Sequence, residues 1–338
     1  MKNQPLLSIT IPTWNRAECL AEGLARLQNQ ITDIEDDELE IFISDNGSDD
    51  NTKEVVESFM RLGLPITYNR NEKNMGCDYN FLKCAENAHG KYIVIMGDDD
   101  YFKPGALRLI LDILKEEEIG LLHFTSFHPN EDCKRYDVID DFAKEVSYNF
   151  TFMSANIFNA SAIKDVTNPE QYFNTGLLIT PYFLEAAFSH NLNKTIGRDH
   201  ILNCDNAGAG NGGYNYFFVF VKCYLDMLKS FLQKYNLMRL YNWLRKDVFL
   251  KFHLRYVYNL LILKQNVKQV EGVHVTRDGF AIENGWKILY QYYGDTLYFY
   301  TSTIKYVIKK KLAKLKSKFK MTYICNFIYR RNDPLITR

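Results

Sequence analysis

The first 125 residues predict an α/β fold, in which a mainly parallel sheet carries helices on both of its faces. Two observations indicate this class. Short apolar runs of strand length alternate along the chain with longer stretches whose apolar residues recur at helical spacing. Polar residues typical of loops directly follow the apolar runs, as expected where a buried strand leaves a sheet and the chain turns into a helix.

The expected elements follow one another in a regular order. Five apolar runs predict strands, at Leu6–Pro12, Leu39–Ser44, Ile66–Tyr68, Lys91–Met96 and Ile119–Phe124. Four amphipathic stretches predict helices, at Ala17–Leu27, from near Asp49 onward, at Tyr79–Ala88 and at Gly105–Glu117. Pro104 precedes the fourth helix, where proline is tolerated because the first helical N–H groups have no partner within the helix. A strand–helix alternation of this kind makes consecutive strands parallel.

The alternation stops near residue 130. The stretches Phe150–Phe158 and Leu177–Phe188 are apolar without a clear period, and the chain from Tyr216 to about Leu263 is helical and aromatic. We therefore expect one domain over residues 1–215, divided into a ligand-binding half (1–125) and a second half (126–215). A helical, basic C-terminal region over residues 216–338 would follow it.

The formal charge of zero hides a division along the chain. Residues 1–145 hold 29 acids and 15 bases, whereas residues 146–338 hold 12 acids and 26 bases. Such asymmetry indicates that the two halves meet different partners.

Cysteine usage and the N-terminus predict a cytoplasmic protein. The seven cysteines are odd in number and form no C-x-x-C pair, which favours reduced thiols over disulfides or a zinc site. The first apolar stretch is too short for the core of a signal peptide, and no uncharged apolar run is long enough to span a bilayer.

Polar clusters follow the first four strands. They are Pro12-Thr13-Trp14-Asn15-Arg16, Asp45-Asn46-Gly47-Ser48-Asp49-Asp50, Asn74-Met75-Gly76 and Gly97-Asp98-Asp99-Asp100. In open α/β sheets ligands bind beyond the carboxyl ends of the strands, so we expect all four clusters to line one edge of the sheet.

The acidic cluster Asp98–Asp100 predicts a cation site. Adjacent carboxylates repel one another unless a cation compensates them, and Mg²⁺ commonly takes one or two carboxylates together with substrate phosphates. The alternative is a solvated acidic turn that caps the helix near Pro104. The position directly after a buried strand, beside the other clusters, favours metal and phosphate binding.

Asp45 is expected to meet a ligand. A carboxylate at the end of a buried strand can accept hydrogen bonds from a base N–H or a ribose hydroxyl. Its alternative role is to cap the helix that begins near Asp49, but Ser48 and Asp49 are better placed for that.

Three segments, SITIPTWNR, IFISDNGSDDNT and NEKNMGCDYNFLKCAENAHGKYIVIMGDDDYFKPGAL, carry a resemblance over about residues 6–125. They resemble the donor-binding half of family-2 glycosyltransferases with the GT-A fold, and the Gly-Asp-Asp-Asp variant is most similar to the abequosyltransferase-like branch of bacterial surface-polysaccharide enzymes. The resemblance implies a transferase that uses a nucleotide-diphosphate sugar and Mg²⁺ or Mn²⁺. It also implies that residues 1–125 bind the donor and residues 126–215 the acceptor.

The same resemblance assigns roles to individual residues. Donor contacts are implied for Pro12, Thr13, Trp14, Arg16, Asp45, Asn74, Gly76, Asn80, Asp98 and Asp99. Asp45 would meet the base, Asp98 the ribose, and Asp100, with Asp98 as a second candidate, the metal. The family often has Asp-x-Asp-Asp at this motif, and Gly97 stands at the first of these positions here.

The catalytic base of such enzymes is an Asp or Glu of the acceptor half that takes the proton of the acceptor hydroxyl. The candidates are Asp199, in a polar segment beside His200, Glu170, after Pro169, and Asp205, before a glycine-rich loop. Glu185 lies in an apolar helix-like stretch and is expected on the surface of that helix. The loop Gly208–Gly213 matches G-x-G-x-x-G, but it comes too late in the chain for a dinucleotide site, so we expect a loop that closes over donor or acceptor.

The lysine-rich C-terminal segment predicts contact with an anionic membrane surface through residues 301–330. Ile304, Val307, Ile308, Leu312 and Leu315 share one helical face, with lysines around it. The alternative is a solvated terminal helix whose apolar stripe packs on the domain. A membrane contact would suit a saccharide or lipid-linked acceptor made at the inner face of a bacterial membrane, as in the synthesis of O-antigen, capsule or lipooligosaccharide.

Two other functions remain open at this point. A nucleotidyltransferase would share strand-end acids and metal–phosphate chemistry, but it would carry a glycine-rich basic loop after the first strand, where this chain has Thr13-Trp14-Asn15-Arg16. A non-enzymatic protein could bind membrane or nucleic acid through its basic tail; a helical tail fits a membrane better, so no nucleic-acid partner is expected.

Overall fold

The computed structural model describes residues 4–32, 34–35, 38–204, 215–258, 267–270, 273–276 and 282–312. Its main sheet has eight strands in the order β3-β2-β1-β4-β8-β6-β9-β7. These strands are β1 Leu7–Thr13, β2 Leu39–Asp45, β3 Ile66–Arg70, β4 Tyr92–Ile95, β6 Leu121–Thr125, β7 Lys134–Tyr136, β8 Asn156–Asn159 and β9 Asn193–Gly197. Two small ribbons pair β5 (Asp100–Phe102) with β10 (Leu202–Cys204), and β11 (Val267–Val270) with β12 (Val273–Thr276).

The sheet is mainly parallel. β1 pairs in parallel with β2 and β4, β2 with β3, and β6 with β9, whereas β8 and β7 run antiparallel to their neighbours. The α/β class expected from the sequence is therefore confirmed.

Helices cover both faces of the sheet. They are α1 Ala17–Gln28, α2 Thr52–Arg61, α3 Cys77–Glu86, α4 Ala106–Glu116, α5 Ile139–Val146, α6 Thr180–Ser189, α7 Arg198–Ile201, α8 Tyr224–Lys234, α9 Met238–Val248, α10 Leu254–Tyr256, α11 Gly285–Tyr293 and α12 at residues 297–312. π-Helical segments Phe218–Cys223 and Phe249–His253 lead into α8 and α10. Short 3₁₀ segments lie at Ser147–Thr151, Met153–Ala155, Ala160–Asp165 and Pro169–Tyr172.

Two hydrophobic cores lie on opposite sides of the sheet. Along β4 the side chains alternate, so that Tyr92 and Val94 point into the core beneath α1, α2 and α4, and Ile93 and Ile95 into the other. The second core contains α3, α5 and α6 and continues into the helices after residue 215, where Phe217 and Leu225 belong to it. The boundary at residue 215 stays a prediction, and the second core runs across it.

The expected strands agree with β1, β2, β3, β4 and β6 to within two residues at each end. The regular strand–helix alternation stops near residue 130, but β7, β8 and β9, for which the sequence predicted no individual strands, widen the same sheet. The sequence of β9, Asn-Lys-Thr-Ile-Gly, lacks an apolar alternation, yet all five residues are buried. Lys194 is accommodated there because its ammonium group pairs with Glu116 at 2.8 Å. Within the described residues, no helix combines the length and the apolar composition that crossing a membrane requires.

Candidate active site

The polar residues that follow β1 to β4 lie side by side at one edge of the sheet. In the strand register Thr13 is the neighbour of Asp45, and Asp45 is the neighbour of Arg70. Beyond β4, Asp98 accepts a hydrogen bond from Thr13 Oγ1 at 2.8 Å. The clusters expected to converge at the carboxyl ends of the strands do so.

Arg16 bridges two of the three adjacent aspartates. Its Nη1 lies 3.0 Å from Oδ1 of Asp98, and its Nη2 lies 2.8 Å from Oδ2 of Asp99. Burial alone would lower the pKa of Arg16, but the charges of Asp98 and Asp99 raise it above its ordinary value. Burial raises the pKa of Asp98 to about 6, with a smaller rise from Asp99 and Asp100, although Arg16 and Thr13 act in the opposite direction.

Asp99 and Asp100 converge on Gly97. A Cβ at this glycine would stand 3.1 Å from Oδ1 of Asp99 and 3.2 Å from Oδ2 of Asp100. The missing side chain therefore leaves room beside two carboxylate oxygens, which is a donor set that a divalent cation accepts when phosphates complete its shell. Within the described residues no group of three or more His, Cys, Asp or Glu side chains could hold a metal by itself.

Asp45 is completely buried and held by its own chain. Its Oδ1 accepts the backbone N–H of Ser48 at 2.8 Å, and its Oδ2 accepts the Tyr68 hydroxyl at 2.6 Å and lies 3.6 Å from Nε of Arg70. Helix capping at this edge falls to Asp50, which accepts the N–H of Thr52 in α2 and of Ala17 in α1. The expectation that Ser48 or Asp49 caps α2 is therefore wrong.

The expected donor residues Asn74 and Gly76 lie in an exposed loop that Asn46 holds against the strand ends. Asn46 donates from Nδ2 to Oδ1 of Asn74 at 2.9 Å and accepts the N–H of Met75 at 2.9 Å. Gly47 permits this approach, because its φ is +77° and a Cβ there would stand 2.7 Å from the backbone of Lys73. No separate role for Asn46 was expected from the sequence.

The loop after β1 is fastened to the loop after β2. Asn15 adopts a left-handed φ of 52°, donates its N–H to Oγ of Ser48 and accepts the N–H of Asp49 at 2.7 Å. Pro12 is buried in β1, whereas Trp14 at the loop tip is 43% exposed. An exposed aromatic ring on a fixed loop is available to a planar ligand.

Asn80 lies beneath the strand ends rather than in the open edge. It is buried in α3, where its Oδ1 accepts the Ser44 hydroxyl at 2.6 Å and its Nδ2 donates to the Ser44 carbonyl at 2.8 Å. Its observed role is to fix β2 against α3, and a contact with a ligand stays a prediction.

Among the candidate bases, Asp199 belongs to a segment that is fastened to the acidic cluster. β10 pairs antiparallel with β5, so that Cys204 lies opposite Asp100. Lys103, just after β5, donates from Nζ to the carbonyl of Asp199 at 2.7 Å and from its backbone N–H to that of Ile201 at 2.8 Å. Asp199 itself is exposed at the start of α7, directly after β9.

The other acidic candidates differ in position. Glu170 is exposed in the segment Pro169–Tyr172, and Asp205 lies outside the described residues, as does the loop 208–213. Glu185 is buried, against the expectation of a surface position, because Lys234 and Tyr235 donate to its two oxygens at 2.7 and 2.8 Å.

A further buried carboxylate, Asp78, shapes the second half and was missed by the sequence analysis. Its oxygens accept the backbone N–H groups of Thr175 and Gly176 at 3.0 Å each, and of Leu178 at 3.4 Å. Asp78 thereby joins the start of α3 to the segment that leads into α6. Its partners lie about a hundred residues away, so no local pattern could reveal it.

Comparison with known proteins agrees with this fold. Residues 8–175 match the family model of glycosyl transferase family 2. The abequosyltransferase RfbV of Salmonella typhimurium is 39% identical over 113 residues, which are 33% of this chain and 33% of that protein. The GalNAc(5)-diNAcBac-PP-undecaprenol beta-1,3-glucosyltransferase of Campylobacter jejuni is 35% identical over 114 residues, 33% of this chain and 35% of that protein. The chain thus spans about a third of the length of these curated relatives.

The crystal structure of S. aureus TarS 1–349 superimposes with a TM-score of 0.60 at 15% identity, over 76% of this chain and 75% of that chain. This likeness shows a shared architecture. The sheet with its strand-end site and C-terminal helices defines the chain as an α/β protein of the GT-A type. Through residues 8–175 it belongs to glycosyltransferase family 2.

Proposed function

We propose that this protein transfers a sugar from a nucleotide-diphosphate sugar to a saccharide acceptor of a bacterial surface glycan. The main support is that Thr13, Asp45 and Asp98 lie side by side at one edge of the sheet, within a segment that matches a glycosyltransferase family. The family match favours glycosyl transfer over nucleotidyl transfer and over a purely binding role.

For a divalent cation, the arrangement supports Asp99 and Asp100 as the holding residues. Oδ1 of Asp99 and Oδ2 of Asp100 lie beside Gly97, while Oδ2 of Asp99 pairs with Arg16 and the two oxygens of Asp98 face Arg16 and Thr13. When bound, Mg²⁺ or Mn²⁺ would neutralise the charge of the donor diphosphate. We therefore propose Asp99 and Asp100 as the metal ligands, in place of Asp98. Asp98 and Arg16 would position these two carboxylates.

For the donor, Trp14 would flank the base, and the loop with Asn74 and Gly76 would border the diphosphate. Asp45 would orient the base side of the pocket through its hydrogen bonds to Ser48 and Tyr68. The match covers only about a third of each curated relative, so the names of these relatives do not assign a donor sugar to this chain.

For the base we propose Asp199. Its carboxylate would take the proton of the acceptor hydroxyl while that oxygen forms a bond to the anomeric carbon and the bond from this carbon to the diphosphate oxygen breaks. The products are the glycosylated acceptor with inverted configuration, the nucleoside diphosphate and the protonated carboxyl. The fastening of its segment to β5 through Lys103 supports this choice.

For the acceptor we propose a saccharide carried on a lipid at the inner face of the cell membrane. One relative's name specifies an undecaprenol-linked substrate. Residues 126–215 would bind this acceptor, and the region after residue 215 would bring the enzyme to the membrane.

The test is a panel of nucleotide sugars with Mn²⁺, scored by thermal shift and by donor hydrolysis. We expect at least one donor to raise the melting temperature, and Asp100→Ala to remove the Mn²⁺-dependent part of the rise. Asp199→Asn should retain donor binding and lose transfer, while Glu170→Gln, a change at another exposed acid, should retain both. A protein that responds to no donor would overturn the proposed function, and unchanged transfer in Asp199→Asn would overturn the choice of base.

A further inference from the structure

We propose that the outward side of the last two described helices is a docking surface for an anionic lipid bilayer. This docking face consists of Trp286, Tyr290, Leu297, Tyr300, Ile304, Ile308 and Leu312. The inference rests on the proposed lipid-linked acceptor, and it names the surface that would meet the membrane carrying that acceptor.

Helix α12 is apolar on two opposite sides. On its inner side Phe299 is buried against Phe249, with ring centroids 5.4 Å apart, and Tyr306 packs on Tyr258 at 5.3 Å. Its apolar outer positions recur at intervals of three or four residues and fall within an arc of about 120° at 100° per residue. More than half of the side-chain area is exposed at Leu297, Ile304, Ile308 and Leu312. Such a stripe needs a partner, because a terminal helix that only packs on its own domain is polar on its outer side.

The aromatic residues of α11 extend the same face. The ring of Tyr290 lies 6.4 Å from that of Trp286 and 6.4 Å from that of Tyr300, so the three exposed rings form one row across the two helices. Trp and Tyr are the residues enriched where a protein meets the headgroup layer, since each combines an apolar ring with a polar atom.

The charge around the docking face fits an anionic bilayer. Lys287, Lys305, Lys309 and Lys311 are all exposed; at 100° per residue Lys305 and Lys309 lie beyond one edge of the α12 stripe, and Lys311 lies just inside the other edge, between Tyr300 and Ile304. Residues 296–338 contain eleven Lys and Arg against a single Asp. An apolar stripe between lysines suits insertion among acyl chains while the ammonium groups meet anionic headgroups.

The same charges argue against a second copy of the chain as the occupant. A two-fold dimer places one face against itself, which would bring the lysine-flanked stripe against an identical set of positive charges. Like charges at an interface oppose association. A bilayer rich in anionic lipid satisfies both the apolar stripe and the lysines.

The docking face differs from the segment 301–330 expected from the sequence. It begins earlier, at Trp286, and Val307 of the expected face is only partly exposed. Leu315 and the lysines from Lys314 to Lys320 lie outside the described residues.

The test is co-sedimentation of the full-length protein with vesicles. We expect binding to vesicles of phosphatidylethanolamine and phosphatidylglycerol (3:1) and at least tenfold weaker binding to pure phosphatidylcholine. The double variant Ile304→Gln/Ile308→Gln should bind the anionic vesicles at least tenfold more weakly, and Lys305→Gln/Lys309→Gln should lose about fivefold for each lysine. Vesicles should shift the tryptophan emission to the blue in the wild type and not in Trp286→Phe.

Met60→Gln/Leu62→Gln is the matched control, because it replaces two exposed apolar residues at the end of α2, away from the docking face. This variant should bind vesicles like the wild type. Equal binding of the Ile304→Gln/Ile308→Gln variant and the wild type, or equal binding to both vesicle types, would overturn the proposal. A wild-type dimer that becomes a monomer in that variant would show that a second copy covers the face and would overturn it too.

Donor binding measured without vesicles separates this inference from the proposed function. Sedimentation with anionic vesicles without a response to any nucleotide sugar would support the docking face and contradict the proposed sugar transfer. The Ile304→Gln/Ile308→Gln variant should show the donor response of the wild type, because the docking face shares no residue with the strand-end site.

Discussion

The replacement of Arg16 by methionine tests the electrostatics of the acidic cluster most directly. Methionine preserves an unbranched, apolar stem but removes the guanidinium that bridges Asp98 and Asp99. Asp98 is almost completely buried, and the Arg16 side chain is 20% exposed, so solvent screens this pair only weakly. The wild-type fold already disfavours the charged form of Asp98, since burial raises its pKa to about 6.

The size of the effect follows from this pKa. With an unfolded value of about 3.9, a folded pKa of about 6 means that ionised Asp98 costs the wild type about 3 kcal/mol at pH 7.5. Without Arg16 the carboxyl would keep its proton in the fold, and at pH 7.5 that costs about 5 kcal/mol relative to the ionised unfolded chain. Arg16→Met should therefore lower the free energy of unfolding by about 2 kcal/mol at pH 7.5.

The difference should depend on pH in a defined direction. An acid whose folded pKa is raised destabilises the fold as pH rises from its unfolded pKa to its folded pKa. At pH 5 Asp98 is protonated in both folded proteins, so wild type and variant bear the same cost of about 1–2 kcal/mol. The loss of about 2 kcal/mol at pH 7.5 should shrink to less than about 0.5 kcal/mol at pH 5.

The assay is urea unfolding followed by circular dichroism at pH 5 and pH 7.5, without divalent cations. Arg135→Met is the matched control, because Arg135 also bridges two carboxylates, Asp137 and Glu117, but at the surface. Its removal should leave the unfolding midpoint unchanged within error, since surface ion pairs contribute little. An equal loss at both pH values in Arg16→Met would refute the reasoning, as it would trace the effect to packing rather than to the charge of Asp98.

Three further outcomes are expected. Asp78→Ala should lower the free energy of unfolding by about 2–4 kcal/mol in urea titrations, since it leaves the N–H groups of residues 175, 176 and 178 unpaired, and a loss below about 1 kcal/mol would contradict that role. Burial lowers the pKa of His123 to about 4, so the free energy of unfolding should fall by up to about 3 kcal/mol as the pH drops from 6.5 to 4. His123→Gln should lose this pH dependence of the free energy of unfolding. An unchanged pH dependence in the variant would argue against a buried neutral imidazole. Gly97→Ala should weaken Mn²⁺ binding about tenfold in isothermal titration, because the new Cβ would displace oxygens of Asp99 and Asp100. The melting temperature without metal should stay within about 3 °C of the wild-type value. An unchanged Mn²⁺ affinity would place the cation elsewhere.

Much of the first half could be predicted because its signals are local. β4 is a continuous apolar run, β1 is interrupted only by Ser8 and Thr10, and β2 only by Glu40, and polar residues follow each of them. Parallel strands end at the same edge, so the convergence of Thr13, Asp45 and Asp98 followed from the order of elements alone.

The second half was harder because tertiary partners replace local pattern there. Lys194 and Glu185 look like surface residues in the sequence, but both are buried, each with an oppositely charged partner from a distant segment. An ion pair of this kind offsets part of the penalty for burying a charge, and no residue near either one in the sequence indicates the pair.

The sequence by itself determined the α/β class, the order of the first elements and the residues that gather at the sheet edge, because strand and helix periods act over a few residues. Only the tertiary structure decided what each of those residues does. It paired Arg16 with Asp98 and Asp99, gave helix capping to Asp50, buried Asn80 and turned Asp99 and Asp100 toward Gly97. It also exposed the outer side of α12. These outcomes depend on contacts between segments far apart in the chain, whose geometry is fixed only when the whole fold packs.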